Sequence, residues 1–286
     1  MTRSTFLHLR FPFSFFLLPV FLFGLSVAKT LDLSQVLLVF FVLHFLLYPA
    51  SNGYNSYFDK DEESIGGLKN PPKTTQELYW TALGLDALAM VLGLLISWQF
   101  SLMLLVYGLV SKSYSHPLTR LKKRPIVGWL AVGVFQGWFT FLMTLVGVMG
   151  LGYGDLWVEQ YQIPGLLSSS LLLGSYPMTQ IYQHREDQKR GDETISLKLG
   201  IKGTFLFTAV FFLFSNGGFL LYFWLQHSVI DALYFQLAMT PVMIYFFNWF
   251  FKVLKSAQVV NYSNTMGLNW ISSVMLNAFF LLLIFG

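Results

Sequence analysis

The chain has 286 residues, of which 55% are hydrophobic and only 11% are charged. Soluble domains are about 25% charged, so this composition excludes an ordinary soluble protein and favours a chain that crosses a membrane several times. There is no cysteine, which excludes disulfides, thiol nucleophiles and thiolate metal sites. The net charge of +4 indicates membrane orientation rather than nucleic-acid binding, because in membrane proteins the position of basic residues matters more than their sum.

Nine apolar stretches predict an all-α membrane protein with nine transmembrane helices, folded as one domain over residues 1–286. They cover residues 11–28, 33–50, 78–98, 100–110, 126–151, 163–181, 205–225, 230–251 and 266–285. Arg3 and Arg10 precede the first stretch and small residues end it, as in a secretory signal. The many stretches that follow favour a first helix that is retained.

Basic residues gather on one side of the predicted bundle. If the N-terminus lies in the cytoplasm, the loops on that side are 51–77, 111–125, 182–204 and 252–265. Those loops and the N-terminus hold every Lys and Arg of the chain except Lys29. The positive-inside rule therefore predicts that the N-terminus and these loops are cytoplasmic. We expect a multi-pass protein of the bacterial inner membrane.

The end of the second stretch carries a first cluster of acidic side chains. Asn55, Asp59 and Glu63 are spaced by four residues, so a continuous helix would align them on one face. Asp61 and Glu62 would then point elsewhere. The pattern predicts a stripe of oxygen atoms at this helix end.

The end of the sixth stretch carries a second, similar cluster. Gln180, Gln183 and Asp187 follow the spacing of one helix face, and Gly191 is a plausible helix stop. Together the two clusters predict two oxygen-rich helix ends that face one another.

Paired carboxylates beside basic loops are typical of a Mg²⁺-dependent diphosphate site. Mg²⁺ prefers oxygen ligands and is usually held by one or two carboxylates together with substrate phosphates. The metal removes the repulsion between carboxylates and an anionic substrate, and a basic loop neutralises the remaining charge. The loop between the fourth and fifth stretches, with Arg120, Lys122 and Lys123, is well placed for this, although basic loops of this kind also arise from topology alone.

These residues resemble the UbiA superfamily of intramembrane prenyltransferases. Its nine-helix fold carries two Asp-rich motifs on cytoplasmic loops after the second and sixth helices. Asn55-xxx-Asp59-xxx-Glu63 resembles the first motif, and the segment from Asp187 through Leu199-Gly200 resembles the second. Tyr114-Ser-x-Pro, followed by Arg120-Leu-Lys122, is similar to the family's third cytoplasmic loop.

The resemblance implies Mg²⁺-dependent transfer of a prenyl group from an isoprenoid diphosphate to a small acceptor at the cytoplasmic face. An aromatic or quinone precursor is the commonest acceptor of the family, while haem, chlorophyll-type, glyceryl-phosphate and sugar-phosphate acceptors occur on the same scaffold. The catalytic residues implied are Asp59, Asp187 and Lys122. The metal ligands implied are Asp59, Glu63, Asp187 and Asp192. The residues implied for the diphosphate are Asn55, Tyr114, Arg120, Lys122, Lys123 and Gln183.

The chain departs from the family pattern at three positions. Ser56 stands where many members have Asp, and Glu63 replaces the last Asp of the first motif. Gln183 replaces the first Asp of the second motif, and a carboxamide binds Mg²⁺ more weakly than a carboxylate. An inactive member of the family is therefore one alternative function.

A membrane transporter or lipid-binding protein is the other alternative. Transporters place ionisable groups near the bilayer midplane, whereas the apolar stretches here contain few, chiefly Asp86 and His44. Asp86 is either functional or bonded to a neighbouring helix. His44 either lines a pocket or packs in the core. The position of the acids at helix ends favours an enzyme.

Overall fold

The computed structural model describes all residues, Met1–Gly286, and confirms the all-α prediction, with 83% of the residues in helices. The helices are α1 Arg3–Leu9, α2 Leu18–Val27, α3 Leu33–Asp59, α4 Gln76–Ile96, α5 Trp98–Ser115, α6 Pro125–Met149, α7 Glu159–Gln180, α8 His184–Arg190, α9 Ile195–Gln226, α10 Val229–Lys255 and α11 Tyr262–Phe285.

The prediction of nine transmembrane helices is not confirmed. Length and hydropathy support six spans, α3, α4, α6, α9, α10 and α11, or seven if the bent N-terminal segment crosses as one. The stretches predicted at 100–110 and 163–181 do form helices, α5 and α7. Both are less apolar than the six spans, because α5 carries Lys112 and α7 carries several Ser and Gln side chains.

The first apolar stretch is not one helix. A 43° bend separates Arg3–Phe16 from α2, and Arg10 takes a left-handed backbone conformation with φ 49°. Pro12 and Pro19 follow, and each lacks the N–H group that a continuous helix would use. The break lets α1 fold against the ends of α3 and α4, where His8 Nε2 lies 2.7 Å from the Pro72 carbonyl oxygen.

Two wide helical turns shape the interior of the bundle. In α3 the π turn Val42–Leu47 ends two residues before Pro49, which cannot donate a backbone hydrogen bond within the helix. In α6 the π turn Val134–Phe139 frees the Trp138 N–H, which donates to Ser169 Oγ of α7 at 2.8 Å. Gly137 allows this approach, since a Cβ there would lie 2.5 Å from Ser169 Cα. These turns bring α6 and α7 together beside the interior space described below.

The core is aromatic on the side away from α1. The Phe23 ring, near the end of α2, lies 4.8 Å from the Phe280 ring and 5.4 Å from both Phe141 and Phe219, measured between ring centroids. His44 belongs to a similar cluster, stacked on Phe40 at 4.6 Å. These contacts support the packing interpretation of His44. The polar groups of the bundle gather instead at the end where α1 lies.

Candidate active site

A cavity of about 230 Å³ lies among the ends of α3, α5 and α7. Its lining combines acidic, basic and carboxamide side chains with aromatic rings. The charged residues in its wall are Arg10, Asp59, Asp61, Lys122, Asp187 and Arg190. Asn55, Tyr114, Tyr176, Gln180 and Gln183 also line it. Both predicted acidic clusters therefore meet at one cavity.

The first acidic cluster is not a continuous helical stripe. Helix α3 ends at Asp59 because Lys60 adopts a left-handed conformation, φ 50° and ψ 42°. The chain turns back after Lys60, so Asp61 lines the cavity. Glu63 lies outside the cavity lining, with its side chain 42% exposed and 3.7 Å from Arg185. The expectation that Asp61 points elsewhere is wrong, and Glu63 does not extend the stripe.

The second acidic cluster is built on a helix break. Helix α7 ends at Gln180, and Gln183 precedes the short helix α8, where its carbonyl accepts the Asp187 N–H at 2.9 Å. Gly191 ends α8 with φ 68°. Thr194 Oγ1 donates to Asp187 Oδ2 at 3.1 Å. Asp187 is thus held by its own segment with its carboxylate in the cavity wall.

The basic loop reaches the acids through two residues that contact the same two aspartates but lie closer to different ones. Lys122 Nζ lies 2.5 Å from Asp59 Oδ1 and 3.6 Å from Asp192 Oδ2. Arg120 donates both Nε and a terminal nitrogen to the Asp192 carboxylate, at 2.7 and 2.9 Å. It also lies 3.6 Å from Asp59. Arg120 therefore binds mainly to Asp192, whereas Lys122 belongs to the cavity wall.

Arg190 joins the two acidic clusters. Its guanidinium forms an ion pair with Asp61, lies 3.2 Å from Asp187 Oδ1 and lies 3.5 Å from Asp192 Oδ2. Burial raises the pKa of Asp187 to about 6, even though Lys122 and Arg190 act in the opposite direction. Burial also acts to raise the pKa of Asp192, but the hydrogen bonds from Arg120 and the charges of Lys122 and Arg190 lower it below the usual value.

The residues predicted for the site fall into three groups. Those in the cavity wall are Asn55, Asp59, Tyr114, Lys122, Gln183 and Asp187. Arg120 and Asp192 lie behind the wall and bind each other. Lys123 is exposed and Glu63 is half-exposed, and neither lines the cavity.

Three charged residues of the wall were missed by the sequence analysis: Arg10, Asp61 and Arg190. Arg190 stands three residues after Asp187, a spacing that allows pairing on a helix, so that signal was available. No sequence signal indicated Arg10, because this residue reaches the site only through the break in the chain before α2. It donates to the Gly66 and Asn52 carbonyls at 2.9 and 3.3 Å. It is 8% exposed, and its Nε has no hydrogen-bond partner.

A second cavity of about 150 Å³ continues the first one into the bundle. Its wall is mainly apolar, with residues such as Phe16, Phe212 and Met239. Residues that line both cavities mark the junction: Phe13, Ser51, Asn52, Tyr107, Gln136, Tyr176 and Thr179. One continuous space thus has a charged end, a neutral polar and aromatic junction, and an apolar depth.

Asp86 lies outside this space. It forms an ion pair with Lys112 between α4 and α5. This pairing supports the interpretation of Asp86 as a residue bonded to a neighbouring helix.

The oxygen atoms of the cavity wall can bind Mg²⁺ only if a phosphate group supplies further ligands. No three acidic or histidine side chains converge into a metal site. Mg²⁺ commonly keeps one or two carboxylates and takes its other ligands from water and substrate phosphate. The Gln183 Nε2 group donates to the Ser64 carbonyl at 3.2 Å, which leaves its amide oxygen available. One or two of the wall carboxylates Asp59, Asp61 and Asp187, together with this amide and a phosphate group, therefore fit Mg²⁺ and do not fit a zinc site.

Solved structures share this fold along almost the whole chain. A UbiA homologue from Archaeoglobus fulgidus, bound to GPP and Mg²⁺, has a TM-score of 0.70 at 18% identity, over 98% of this chain and 99% of its own. An apo UbiA homologue from Aeropyrum pernix K1 has a TM-score of 0.71 at 15% identity, over 99% of both chains. A digeranylgeranylglyceryl phosphate synthase has a TM-score of 0.63 at 19% identity, over 99% of this chain and 98% of its own.

Sequence comparison gives the family directly. No curated protein matches the chain, but the model of the UbiA prenyltransferase family matches residues 17–283. That match covers most of the chain and agrees with the all-helical fold. The chain therefore belongs to the UbiA prenyltransferase family.

Proposed function

We propose that this protein, as a single domain over residues 1–286, transfers a prenyl group from an isoprenoid diphosphate to a small acceptor with the help of Mg²⁺. The observation that carries the proposal is the continuous cavity, which has carboxylates and cations at one end and an apolar depth at the other. An isoprenoid diphosphate matches this arrangement, because it has a charged diphosphate at one end and an apolar prenyl tail at the other. Two solved structures of an Archaeoglobus fulgidus UbiA homologue, one bound to GPP and Mg²⁺ and the other to DMAPP and Mg²⁺, support the proposal.

Asp59, Asp61 and Asp187 are the residues that we propose to hold Mg²⁺, with Asn55 and Gln183 as neutral oxygen ligands. When bound, Mg²⁺ supplies positive charge that offsets the charge of the diphosphate as it departs. The motif also nominates Glu63 and Asp192. The exposure of Glu63 and the two hydrogen bonds from Arg120 to Asp192 favour Asp61 over both.

Lys122 is the residue that we propose to hold the departing diphosphate from the basic loop. It is 7% exposed and already lies against Asp59, so its charge acts where water screens it little. Arg120 takes a supporting role, because its bond to Asp192 fixes the loop beside Lys122. Lys123 is exposed and remains a weaker candidate for diphosphate contact.

Aromatic rings at the junction are suited to the cation that forms as the carbon–oxygen bond breaks. Phe13, Tyr107 and Tyr176 line both cavities. Each face stabilises a nearby cation by about 0.5 to 2 kcal/mol without forming a bond to it. The acceptor approaches the same carbon, so it occupies the junction, and the prenyl tail occupies the apolar depth.

The position of Arg10 favours an acceptor that carries an acidic group, such as the aromatic acids that precede quinones. Its guanidinium is buried in the wall and donates to backbone carbonyls, while no carboxylate lies within ion-pair distance. A buried cation without a carboxylate partner is unfavourable unless an anion arrives. A carboxylated aromatic acceptor would provide that anion and place its ring near Asn52 and the junction.

We propose that the charged end of the cavity faces the cytoplasm. Arg10, Lys122 and Arg190 lie at the same end of the bundle as the loops rich in basic residues, and such loops stay on the cytoplasmic side. A transporter is less favoured, because the buried Asp86 is neutralised by Lys112 rather than exposed to a central pathway.

The experiment that tests the proposal uses the purified full chain in lipid nanodiscs. It is given a panel of isoprenoid diphosphates and a mixture of aromatic acids, with and without Mg²⁺. We expect Mg²⁺-dependent diphosphate release and a prenylated acid that mass spectrometry identifies. Asp59→Asn should abolish both. Glu62→Gln, which changes an exposed acid next to the site, should leave both unchanged and serves as the matched control.

Two other outcomes would contradict parts of the proposal. Diphosphate release that is equal with and without Mg²⁺ would exclude the metal assignment. No release with any donor and acceptor would favour the inactive family member, and Gln183 would then be the first residue to restore to Asp.

A further inference from the structure

Arg190 contacts three carboxylates, whereas Lys122, the other cation of the cavity wall with acidic partners, contacts two. Arg190 is the last residue of α8, its side chain is 17% exposed, and it lines the cavity wall. Its guanidinium contacts Asp61 from the first acidic cluster and Asp187 and Asp192 from the second. One cation therefore links carboxylates that belong to different parts of the chain.

Asp61 and Asp187 are also two of the proposed Mg²⁺ ligands. A guanidinium and a metal ion compete for the same carboxylate, because both are positive and repel each other at close range. Binding of the metal to these carboxylates therefore opposes the contacts of Arg190 with Asp61 and Asp187.

The displaced guanidinium has a new partner at the same place. Arginine donates two parallel N–H groups to phosphate oxygens, with a geometry that lysine lacks. A diphosphate bound beside the metal would offer those oxygens in the cavity that Arg190 already lines. Asp192 stays occupied by Arg120 through two hydrogen bonds, so it remains a fixed anchor behind the wall.

We propose that Arg190 is an exchangeable counter-ion: it neutralises Asp61 and Asp187 in the ligand-free protein and moves to the diphosphate when metal and donor bind. This rests on the proposed function. The consequence is that metal and isoprenoid diphosphate bind cooperatively. The diphosphate draws the guanidinium of Arg190 away from the carboxylates that bind the metal, and the metal offsets the repulsion between those carboxylates and the diphosphate. Coupling of this kind between two ligands commonly changes affinity by about 5- to 150-fold.

The test measures metal binding without turnover. The full chain in nanodiscs is titrated with Mn²⁺, as a paramagnetic substitute for Mg²⁺, and free Mn²⁺ is followed by electron paramagnetic resonance. A second titration includes a geranyl diphosphate analogue with sulfur in the scissile position, which binds without reacting. In the wild type we expect weak Mn²⁺ binding alone and binding that is about tenfold tighter with the analogue.

Arg190→Gln separates this role from a structural one. Without the competing guanidinium, Mn²⁺ alone should bind about tenfold tighter than in the wild type, and the analogue, which still offers phosphate oxygens to the metal, should tighten binding by clearly less than it does in the wild type. Loss of a purely structural ion pair would instead weaken Mn²⁺ binding or leave it unchanged. Either of those results, or an analogue effect as large as in the wild type, would overturn the proposal.

Two further variants secure the test. Lys189→Gln changes a neighbouring residue of α8 whose side chain is 49% exposed and should bind Mn²⁺ like the wild type. Arg190→Lys keeps the positive charge, so the binding of Mn²⁺ alone should remain weak. The tightening by the analogue should become smaller, because lysine cannot donate two parallel N–H groups to the phosphate. If Arg190→Gln does not fold, Arg190→Lys decides the question: a full analogue effect in that variant overturns the proposal.

Failure of the proposed function is recognised separately. If wild-type protein binds no Mn²⁺ even with the analogue, the diphosphate site itself is contradicted before any variant is compared.

Discussion

The two acidic clusters end their helices in the same way but use the next aspartate differently. After α3, Lys60 adopts φ 50° and is followed by Asp61. After α8, Gly191 adopts φ 68° and is followed by Asp192. In both places a left-handed residue turns the chain back toward the helix end. Asp61 nevertheless lines the cavity, whereas Asp192 is buried behind it at 1% exposure.

The cation that each aspartate meets explains the difference. Arg120 donates two hydrogen bonds to Asp192, which satisfies the strongest acceptor positions of that carboxylate. Asp61 shares Arg190 with two other aspartates. The positive charge of Arg190 is therefore not committed to Asp61 alone, and we propose that a metal ion can replace it there. Similar motifs in sequence thus produce one proposed metal ligand and one structural anchor.

The largest expected effect comes from residues whose carboxylates lie in the cavity wall. Asp59→Asn and Asp187→Asn should each lower turnover by about a hundredfold or more, because each removes a proposed ligand of the Mg²⁺ that offsets the negative charge of the leaving group. Diphosphate release at saturating Mg²⁺ measures this. Full turnover in either folded variant would show that its carboxylate is not a required metal ligand, and full turnover in both would remove the functional meaning of the contrast between Asp61 and Asp192.

The next effect separates the two aspartates directly. Asp192→Asn should lower the free energy of unfolding by about 1.5 to 3 kcal/mol, because it removes the main charged partner of Arg120 and leaves only Asp59 at 3.6 Å. Asp61→Asn should mainly lower turnover, since Arg190 keeps Asp187 as a partner. Denaturant unfolding in detergent, measured beside turnover, gives both quantities. The reverse ranking would make Asp192 the ligand and Asp61 the anchor.

Residues carried by regular helix ends were predictable from the sequence. Asn55 and Asp59 share a helix face in α3, and Asp187 follows the end of α7, so spacing and apolar runs were sufficient to bring them to one end of the bundle. The choice between Asp61 and Glu63 was not predictable. It depends on the left-handed conformation of Lys60, which is a residue that rarely adopts it.

Long-range partners were also beyond the sequence. Arg10 enters the cavity because the N-terminal segment bends before α2, and the ion pair of Asp86 with Lys112 joins two different helices. Both are set by how helices pack, not by the local pattern. The count of nine spans was not confirmed for a related reason. Helices α5 and α7 are polar enough that length and hydropathy alone do not identify them as spans.

A smaller effect is expected at the departure from the family motif. Gln183→Asp adds a carboxylate to the second cluster, so the Mg²⁺ concentration for half-maximal turnover should fall by about threefold, as ligand charge strengthens binding of a hard cation. Gln188→Asp, on an exposed face of α8, is the matched control and should not change it. An identical Mg²⁺ titration in both variants would place Gln183 outside the metal's ligands.

The smallest effect tests the turns that make the two clusters comparable. Gly191→Ala should lower the free energy of unfolding by about 1 kcal/mol, because a Cβ is unfavourable at positive φ and no neighbour lies within 4 Å to add a clash. Lys60→Gly should raise it by about 0.5 to 1 kcal/mol, since glycine adopts that conformation without strain. Lys60 is exposed, so turnover should not change. If Lys60→Gly instead lowered turnover while raising stability, the strained turn would be holding Asp61 in its ligand position, and the backbone after α3 would itself be part of the site.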